Sequence, residues 1–426
     1  MRRAGICALL ATSAASFLSI GNPKAPIFQL FSFSFGLVLL ALIWTFMRRA
    51  TVHASIRTPK YATVGEEILY SATLHHNHRT TKRGLRLLQI PPDPRPSLIE
   101  FSQIEEPHEQ TRNIYDRKMA YFRWRWLMTR HRSFSAEENT HSFDLPPRQN
   151  VTVNLSLIPH KRGVYLLENL RLLMPDPLGF FQKCRALSPN PARLIALPKR
   201  YRLPPFEMPG SSTFHIGGED TSNSIGNSGE FIGLRDYRPG DSPRNIHWKS
   251  WAHTGKPIVK ELEDTYYPRY ALILDTFPHS PDPMIFEEMI SIASSFITGL
   301  DQHQALIDLM FIADQAHTIT AGRGLERTEK LLEVLAEVKM ELNDRFENLS
   351  TTVIRHRDQI TSCLIILNGW NETRQAFIEK IRKANIPCVP IIVGTGEKPN
   401  TLIGHWINSQ QVAQDLMRLP AQLIAI

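Results

Sequence analysis

Cysteine is scarce in this chain and badly placed for chemistry. Four occur in 426 residues, Cys7, Cys184, Cys363 and Cys388, with no Cys-x-x-Cys pair and no companion histidine pattern, so a finger- or ribbon-type zinc site is excluded. Cys363 and Cys388 fall in apolar, strand-like runs and are expected to be core thiols, which suits a reducing compartment. A nucleotide phosphate cradle is also missing. Gly217, Gly218 and Gly226 lack the P-loop spacing, and Thr254-Gly255-Lys256 is followed by Pro257 where Ser or Thr is required. Material for burial is not lacking: 42% hydrophobic and 9% aromatic residues exclude a disordered chain and leave room for about three domains. The formal charge of +8 invites acidic partners, nucleic acid or anionic lipid; for a membrane-attached chain it equally reflects topology and lipid attraction, and lipid is the preferred reading.

Residues 1–49 read as a transmembrane helical hairpin. Ala4 to Ile20 is apolar but short and rich in Ala and Ser, and Gly21 to Pro26 breaks it. Ile27 to Met47, at about 1.5 Å per residue, is long enough to cross a hydrocarbon core of about 30 Å. Arg2 and Arg3 precede the first run, Arg48 and Arg49 follow the second, and only Lys24 lies between. The positive-inside rule then puts both ends, and the soluble domains, on the cytoplasmic side of a bacterial inner membrane. A signal peptide is the competing reading of the first run, given its basic start and its small residues near Ser13 to Ser16.

From residue 50 to 200 the pattern turns to period-two alternation with turn punctuation. Ile68 to Leu74, Gly84 to Leu88, Val151 to Leu157 and Gly163 to Leu167 read as strands without helices between them, which argues an immunoglobulin-like β-sandwich. Tyr121 to Met128 alternates aromatics with arginines. It reads as a strand with Phe122, Trp124 and Trp126 toward a core and Arg123 and Arg125 toward water. The same run has the composition to stack bases or to sit among lipid headgroups, and of these the membrane surface is preferred.

Residues 201–228 are dominated by Pro, Gly, Ser and Asn and read as a linker. The segment 229–268 is the densest in specialised residues. Arg235, Asp236, Arg238, Asp241, Arg244, His247 and Lys249 alternate in sign among Tyr237, Trp248, Trp251 and the turn formers Pro239 and Gly240. Forked guanidinium donors thus stand beside carboxylates across a turn in which proline sets φ and glycine supplies a positive φ. The arrangement is either an ion-paired buttress of a domain junction or a docking and anion-binding surface. Catalysis is disfavoured, because His247 has no Ser or Cys at a spacing that suggests a nucleophile.

The run from Arg235 to Asp241, then Arg244, Ile246, His247-Trp248-Lys249, Thr254-Gly255-Lys256 and Val259-Lys260-Glu261, closely resembles the signature of the bacterial domain-of-unknown-function 58 (DUF58) family. An acidic residue is usual where this chain has His247. Lys161 to Tyr165 and Asp176 to Phe181 resemble the same family's last sandwich strands, so the resemblance covers most of the soluble chain.

Between residues 269 and 426 apolar strands and helices alternate. Arg269 to Asp275, Ala305 to Ile312, Cys363 to Leu367 and Cys388 to Val393 read as strands; Met284 to Leu300, Gly324 to Met340 and Asn371 to Ala384 read as helices. That order predicts a mainly parallel sheet covered on both faces, and the resemblance implies a von Willebrand factor A-like domain. The metal-bearing form of that domain ends its first strand in Asp-x-Ser-x-Ser. Asp275, Phe277 and His279 stand here, and Asn368 follows the later strand, so the hydroxyl ligands are gone. Asp275 with Thr276 is left as a residual, water-mediated Mg²⁺ candidate, against a reading in which Asp275 caps a loop at the sheet's carboxyl edge.

The resemblance implies a membrane-anchored scaffold or adaptor working with a MoxR-type AAA+ ATPase and a transglutaminase-like membrane protein in assembly or maturation of envelope proteins. Arg235, Asp236, Tyr237, Arg238, Asp241, Arg244, His247, Trp248 and Lys249 then form or shape the docking surface. No cofactor and no specific nucleic acid are expected. The rivals are an enzyme built on His247, Asp241 and Asp236, and a lipid or nucleic-acid binder using residues 121–126.

Overall fold

The computed structural model describes residues 3–18, 26–48, 51–76, 79–107, 109–136, 142–187, 189–209, 231–262, 269–277, 283–301, 306–312, 316–321, 325–341, 346–399 and 401–423. The chain divides into two compact units, Met1–Lys199 with Leu335–Glu337, and Arg200–Val334 with Val338–Ile426.

The first unit begins with two helices, α1 (Arg3–Leu18) and α2 (Pro26–Met47). Phe28–Met47 of α2 is long and apolar enough to cross a membrane; Ala4–Phe17 of α1 is a shorter apolar helix. Proline at the first helical position of α2 removes only an N–H that would have no partner there. Next come β1 (His53–Arg57), β2 (Tyr61–Thr63), β3 (Ile68–His75) and β4 (Lys82–Gln89). Three helices follow, α3 (Leu98–Gln103), α4 (Ile114–Met119) and α5 (Tyr121–His131). The unit continues with β5 (Phe134–Ala136), β6 (Phe143–Leu145), β7 (Asn150–Pro159), β8 (Gly163–Leu167), β9 (Leu170–Pro175), β10 (Gln182–Leu187) and β11 (Ala192–Leu197).

The strands form three sheets, ordered β1-β3-β7-β5, β10-β9-β4-β6 and β2-β11-β8. Every pairing is antiparallel except that of β2 with β11. Alternation does the sorting. Tyr70, Ala72 and Leu74 of β3, Leu85 and Leu87 of β4, Val153, Leu155 and Leu157 of β7 and Leu170, Leu172 and Met174 of β9 enter one shared core, while the intervening residues of β3 and β7 are more exposed.

The expectation of strands without intervening helices is corrected by α3, α4 and α5, and the strand expected at Tyr121 to Met128 is α5. The physical reason is local. That run has no β-branched residue, and its Arg, Leu and Met are good helix formers. Phe122 and Trp126 share a helical face, Leu127 is buried, and Arg123 turns to Glu109, with its Nε 2.8 Å from Oε2. Guanidinium groups cover the rings: Arg112 lies 4.1 Å and Arg125 5.5 Å from the Phe122 centroid, and Arg130 lies 5.1 Å from that of Trp126.

The second unit contains β12 (Phe231–Asp236), α6 (Trp248–Thr254), β13 (Ile258–Leu262), β14 (Arg269–Leu274), α7 (Pro283–Asp301), β15 (Leu306–Ile312), β16 (Ala316–Ala321) and α8 (Leu325–Glu337). It closes with α9 (Phe346–Arg355), β17 (Ser362–Asn368), α10 (Glu372–Lys383), β18 (Cys388–Gly394), β19 (His405–Asn408) and α11 (Val412–Met417). The sheet order is β16-β15-β14-β17-β18-β19, parallel throughout except for β16 at one edge. The central strands β17 and β18 are buried along their whole length. Strand order reverses between β14 and β17, which is where an open α/β sheet leaves a crevice at its carboxyl edge.

Part of the expected linker is docked rather than free. Tyr201 Oη donates to Glu288 Oε2 at 2.6 Å, Tyr201 N donates to Ser295 Oγ at 2.8 Å, and the Phe206 ring packs 5.2 Å from that of Phe296. Gly299 permits this approach, because a Cβ there would come within 2.9 Å of Phe206 Cε1. The glycines of residues 210–230 lie outside the described residues.

Cys363 and Cys388 face each other as register partners on β17 and β18, both fully buried. Burial pushes the Cys388 thiol up to about 11 and the Cys363 thiol higher still. Maleimide should therefore modify exposed Cys184 in the native chain and reach Cys363 and Cys388 only after denaturation. Modification of either buried thiol at native rates, read by peptide mass spectrometry, would refute this packing.

Candidate functional site

Strands β12 and β13 form an antiparallel ribbon with Arg235 opposite Val259 and Asp236 opposite Ile258. The excursion between them is clamped at its base, where Tyr237 N donates to Pro257 O at 3.0 Å and His247 N to Ile258 O at 2.9 Å. Within it, Arg238-Pro239-Gly240-Asp241 closes a turn: Asp241 N donates to Arg238 O at 3.0 Å, and Gly240 takes φ of 109°. Asp241 is 8% exposed, and its carboxylate locks the turn to the ribbon. It accepts from Arg235 Nη1 at 2.8 Å, from Arg235 Nη2 at 2.7 Å and from Arg238 N at 2.7 Å. The Arg235 guanidinium and the Arg238 amide hold the Asp241 carboxyl below the usual carboxylate range.

The clamp uses Arg235 and Asp241 and leaves other charges outward. Arg238, Arg244 and Lys249 are exposed, and none has an ion-pair or side-chain hydrogen-bond partner among the described residues. Trp248, 63% exposed, stacks on Trp251 with centroids 5.3 Å apart and planes 19° from parallel. Tyr237 and Asp236 are exposed on the same ribbon.

His247 precedes α6 as its N-cap. Its Nδ1 stands 2.7 Å from Ser250 Oγ and accepts from Ser250 N at 3.3 Å. Ser250 is a neighbour that sequence reasoning missed, and an i to i+3 capping pattern was the signal available. The pairing serves the helix start. No hydrogen bond joins His247 to Asp236 or Asp241 among the described residues, and the Asp241 oxygens are spent on Arg235 and Arg238.

Asp275 caps the turn that follows β14 through Phe277 N, and it is wholly buried there at the strand's carboxyl end, in the crevice beside β17. Its Oδ1 accepts from Phe277 N at 3.0 Å, and its Oδ2 accepts from Asn368 N at 3.0 Å and Arg374 Nε at 2.8 Å. Arg374, 4% exposed, comes from the first turn of α10, donates also to Phe277 O at 3.3 Å, and lies 5.3 Å from the Phe346 centroid. Burial pushes the Asp275 carboxyl up, and the guanidinium and two amides pull against it. Thr276 Oγ1 donates to Ile312 O. A hard divalent cation needs a set of free oxygens, and the residues here do not fit one: a guanidinium stands against the carboxylate, and the next side chain is Phe277. Among the described residues no cluster of His, Cys, Asp and Glu could hold a metal; His279 lies outside them.

No family model matches the chain. The uncharacterized protein YeaD of Bacillus subtilis (strain 168) is 23% identical over 220 residues, covering 50% of this chain and 53% of the relative. The chain thus spans about half the length of the curated relative it matches. Among solved structures, proximal thread matrix protein 1 of the mussel byssus is 11% identical over 35% of this chain and 39% of its own, with a TM-score of 0.23. AvmM, which catalyses macrocyclization in alchivemycin A biosynthesis, is 14% identical over 34% of this chain and 92% of its own, with a TM-score of 0.16. Likeness at that level informs neither fold nor activity.

Proposed function

We propose that the chain is a membrane-anchored scaffold or adaptor of DUF58 type, whose segment 229–268 captures a protein partner at the cytoplasmic face of a bacterial inner membrane. The partner is a MoxR-type AAA+ ATPase, acting with a transglutaminase-like membrane protein in assembly or maturation of envelope proteins. One observation carries this reading. The Arg235–Asp241 clamp spends two charges on rigidity and leaves Arg238, Arg244, Lys249 and Trp248 exposed, with no ion pair at the three cations among the described residues. Cationic and aromatic side chains on a pre-ordered turn suit capture of an acidic protein surface.

The Phe28–Met47 helix supports anchoring, and the parallel-rich sheet with one antiparallel edge supports the von Willebrand A-like expectation. The shared core of the β-sheets supports an immunoglobulin-like sandwich. Affinity capture from solubilised membranes, with the full chain as bait, tests the role. An AAA+ ATPase should co-purify; its absence from the eluate of folded, membrane-inserted bait would overturn the proposal.

A further inference from the structure

The end of α2 and the β-sheet unit line an open cavity of about 640 Å³ that the proposed docking segment does not use. Trp44, Met47 and Arg48 line it on the helix side, Lys82 and Arg83 on the β4 side, and Asp176 after β9.

The hairpin between β9 and β10 sets the level of this cavity. Phe180 and Phe181, at the hairpin tip, pack against Val38 and Ala41 of α2 and Ala8 of α1. Ala41 precedes Arg48 by about two helical turns, roughly 10 Å, so the tip reaches alongside the final turns of the apolar span. Part of its backbone is satisfied internally. Asp176 Oδ1 accepts from Phe181 N at 2.9 Å and Oδ2 from Leu178 N at 3.3 Å. Asp176 N donates to Phe181 O at 3.1 Å and Gly179 N to Asp176 O at 3.2 Å, so these polar groups are satisfied within the tip, and Leu178 is left outward. With the tip at that depth, the cavity lies at the headgroup boundary, where a Trp such as Trp44 is at home.

The charge balance is one-sided. Arg48 donates to the carbonyls of Pro175 and, at 2.6 Å, Arg83. Lys183 Nζ caps the last turn of α2 through Phe46 O at 3.1 Å and Arg48 O at 3.0 Å. None of Arg48, Lys82, Arg83 and Lys183 has a carboxylate partner among the described residues, and the Asp176 carboxylate is spent on two amides.

We propose that this cavity binds the phosphodiester headgroup of an anionic phospholipid, with Lys82 and Arg83 at the phosphate and an acyl chain along Trp44 and Met47. The inference rests on the membrane anchoring proposed above. A free phosphate shares the charge but would have no use for the apolar wall that continues into the span.

The full-length chain in nanodiscs of mixed phosphatidylglycerol and phosphatidylcholine provides the test, with retained lipid counted by native mass spectrometry after release. The wild type should keep phosphatidylglycerol in preference to phosphatidylcholine. The double variant Lys82→Gln/Arg83→Gln should keep about tenfold less, from the attraction of two basic side chains to an anionic headgroup. Millimolar inorganic phosphate should not displace the lipid. Equal retention of both lipids, unchanged retention by the double variant, or displacement by inorganic phosphate would each overturn the assignment. Alkaline extraction separates the two readings: a chain stripped from vesicles ends both, whereas one that stays inserted without holding phosphatidylglycerol ends only this one.

Discussion

Replacing Arg374 with methionine should destabilise the α/β unit by about 3–5 kcal/mol, the usual cost of leaving a buried charge without its partner. Asp275 is fully buried, and Arg374 Nε supplies its one cationic contact among the described residues. Methionine fills much of the same space and leaves the Asn368 and Phe277 amides as the carboxylate's donors. The double variant Asp275→Asn/Arg374→Met removes the charge as well and should recover a large part of the loss. Urea unfolding followed by tryptophan fluorescence reads both. A single variant within about 1 kcal/mol of wild type would mean that the pair does not lock the crevice as the geometry indicates.

That crevice shows where sequence reasoning stops. Asp275 was legible as the last residue of an apolar strand, and Phe277 and Asn368 already argued against a cation. Its actual partner, Arg374, stands 99 positions further on and looks like any basic residue in the first turn of an amphipathic helix. Nothing in local pattern joins the two; only the parallel pairing of β14 with β17 brings α10 over the strand end. The long central strands were legible because both faces are buried and the sequence is apolar without interruption. Two edge strands were not: β16 carries His317, Thr318 and Thr320 among its six residues, and β19 has only four. The stretch at Tyr121 misled for a different reason. A short alternation of ring and guanidinium fits a strand face, and it fits equally a helix whose arginines fold back over its own rings. The turn at Asp241 was the easiest to read, since Arg235, Pro239, Gly240 and Asp241 interact across six positions and need no tertiary context.

For the same reason Asp241 is where the docking proposal is most exposed. Asp241→Asn keeps the shape of the side chain but gives up its charge and one acceptor, so the fork from Arg235 can no longer be met at both nitrogens. A hydrogen bond to a charged group contributes about 1.5–3 kcal/mol, and without it the turn must be ordered at the moment of binding. Partner capture should therefore fall at least about tenfold, while membrane insertion stays at the wild-type level. Arg235→Lys, which has a point charge where a planar fork is needed, should fall between the two. Acid provides an independent check on the cause. The folded Asp241 carboxyl is held below its unfolded value of about 3.9, so its contribution is complete above that pH and is lost as pH falls through the lower, folded value. The stability gap between wild type and Asp241→Asn should accordingly be widest near neutrality and close in strong acid. If a folded Asp241→Asn chain captures its partner as well as wild type does, the rigid turn is only a buttress of the domain junction, and the docking surface has to be sought on another face.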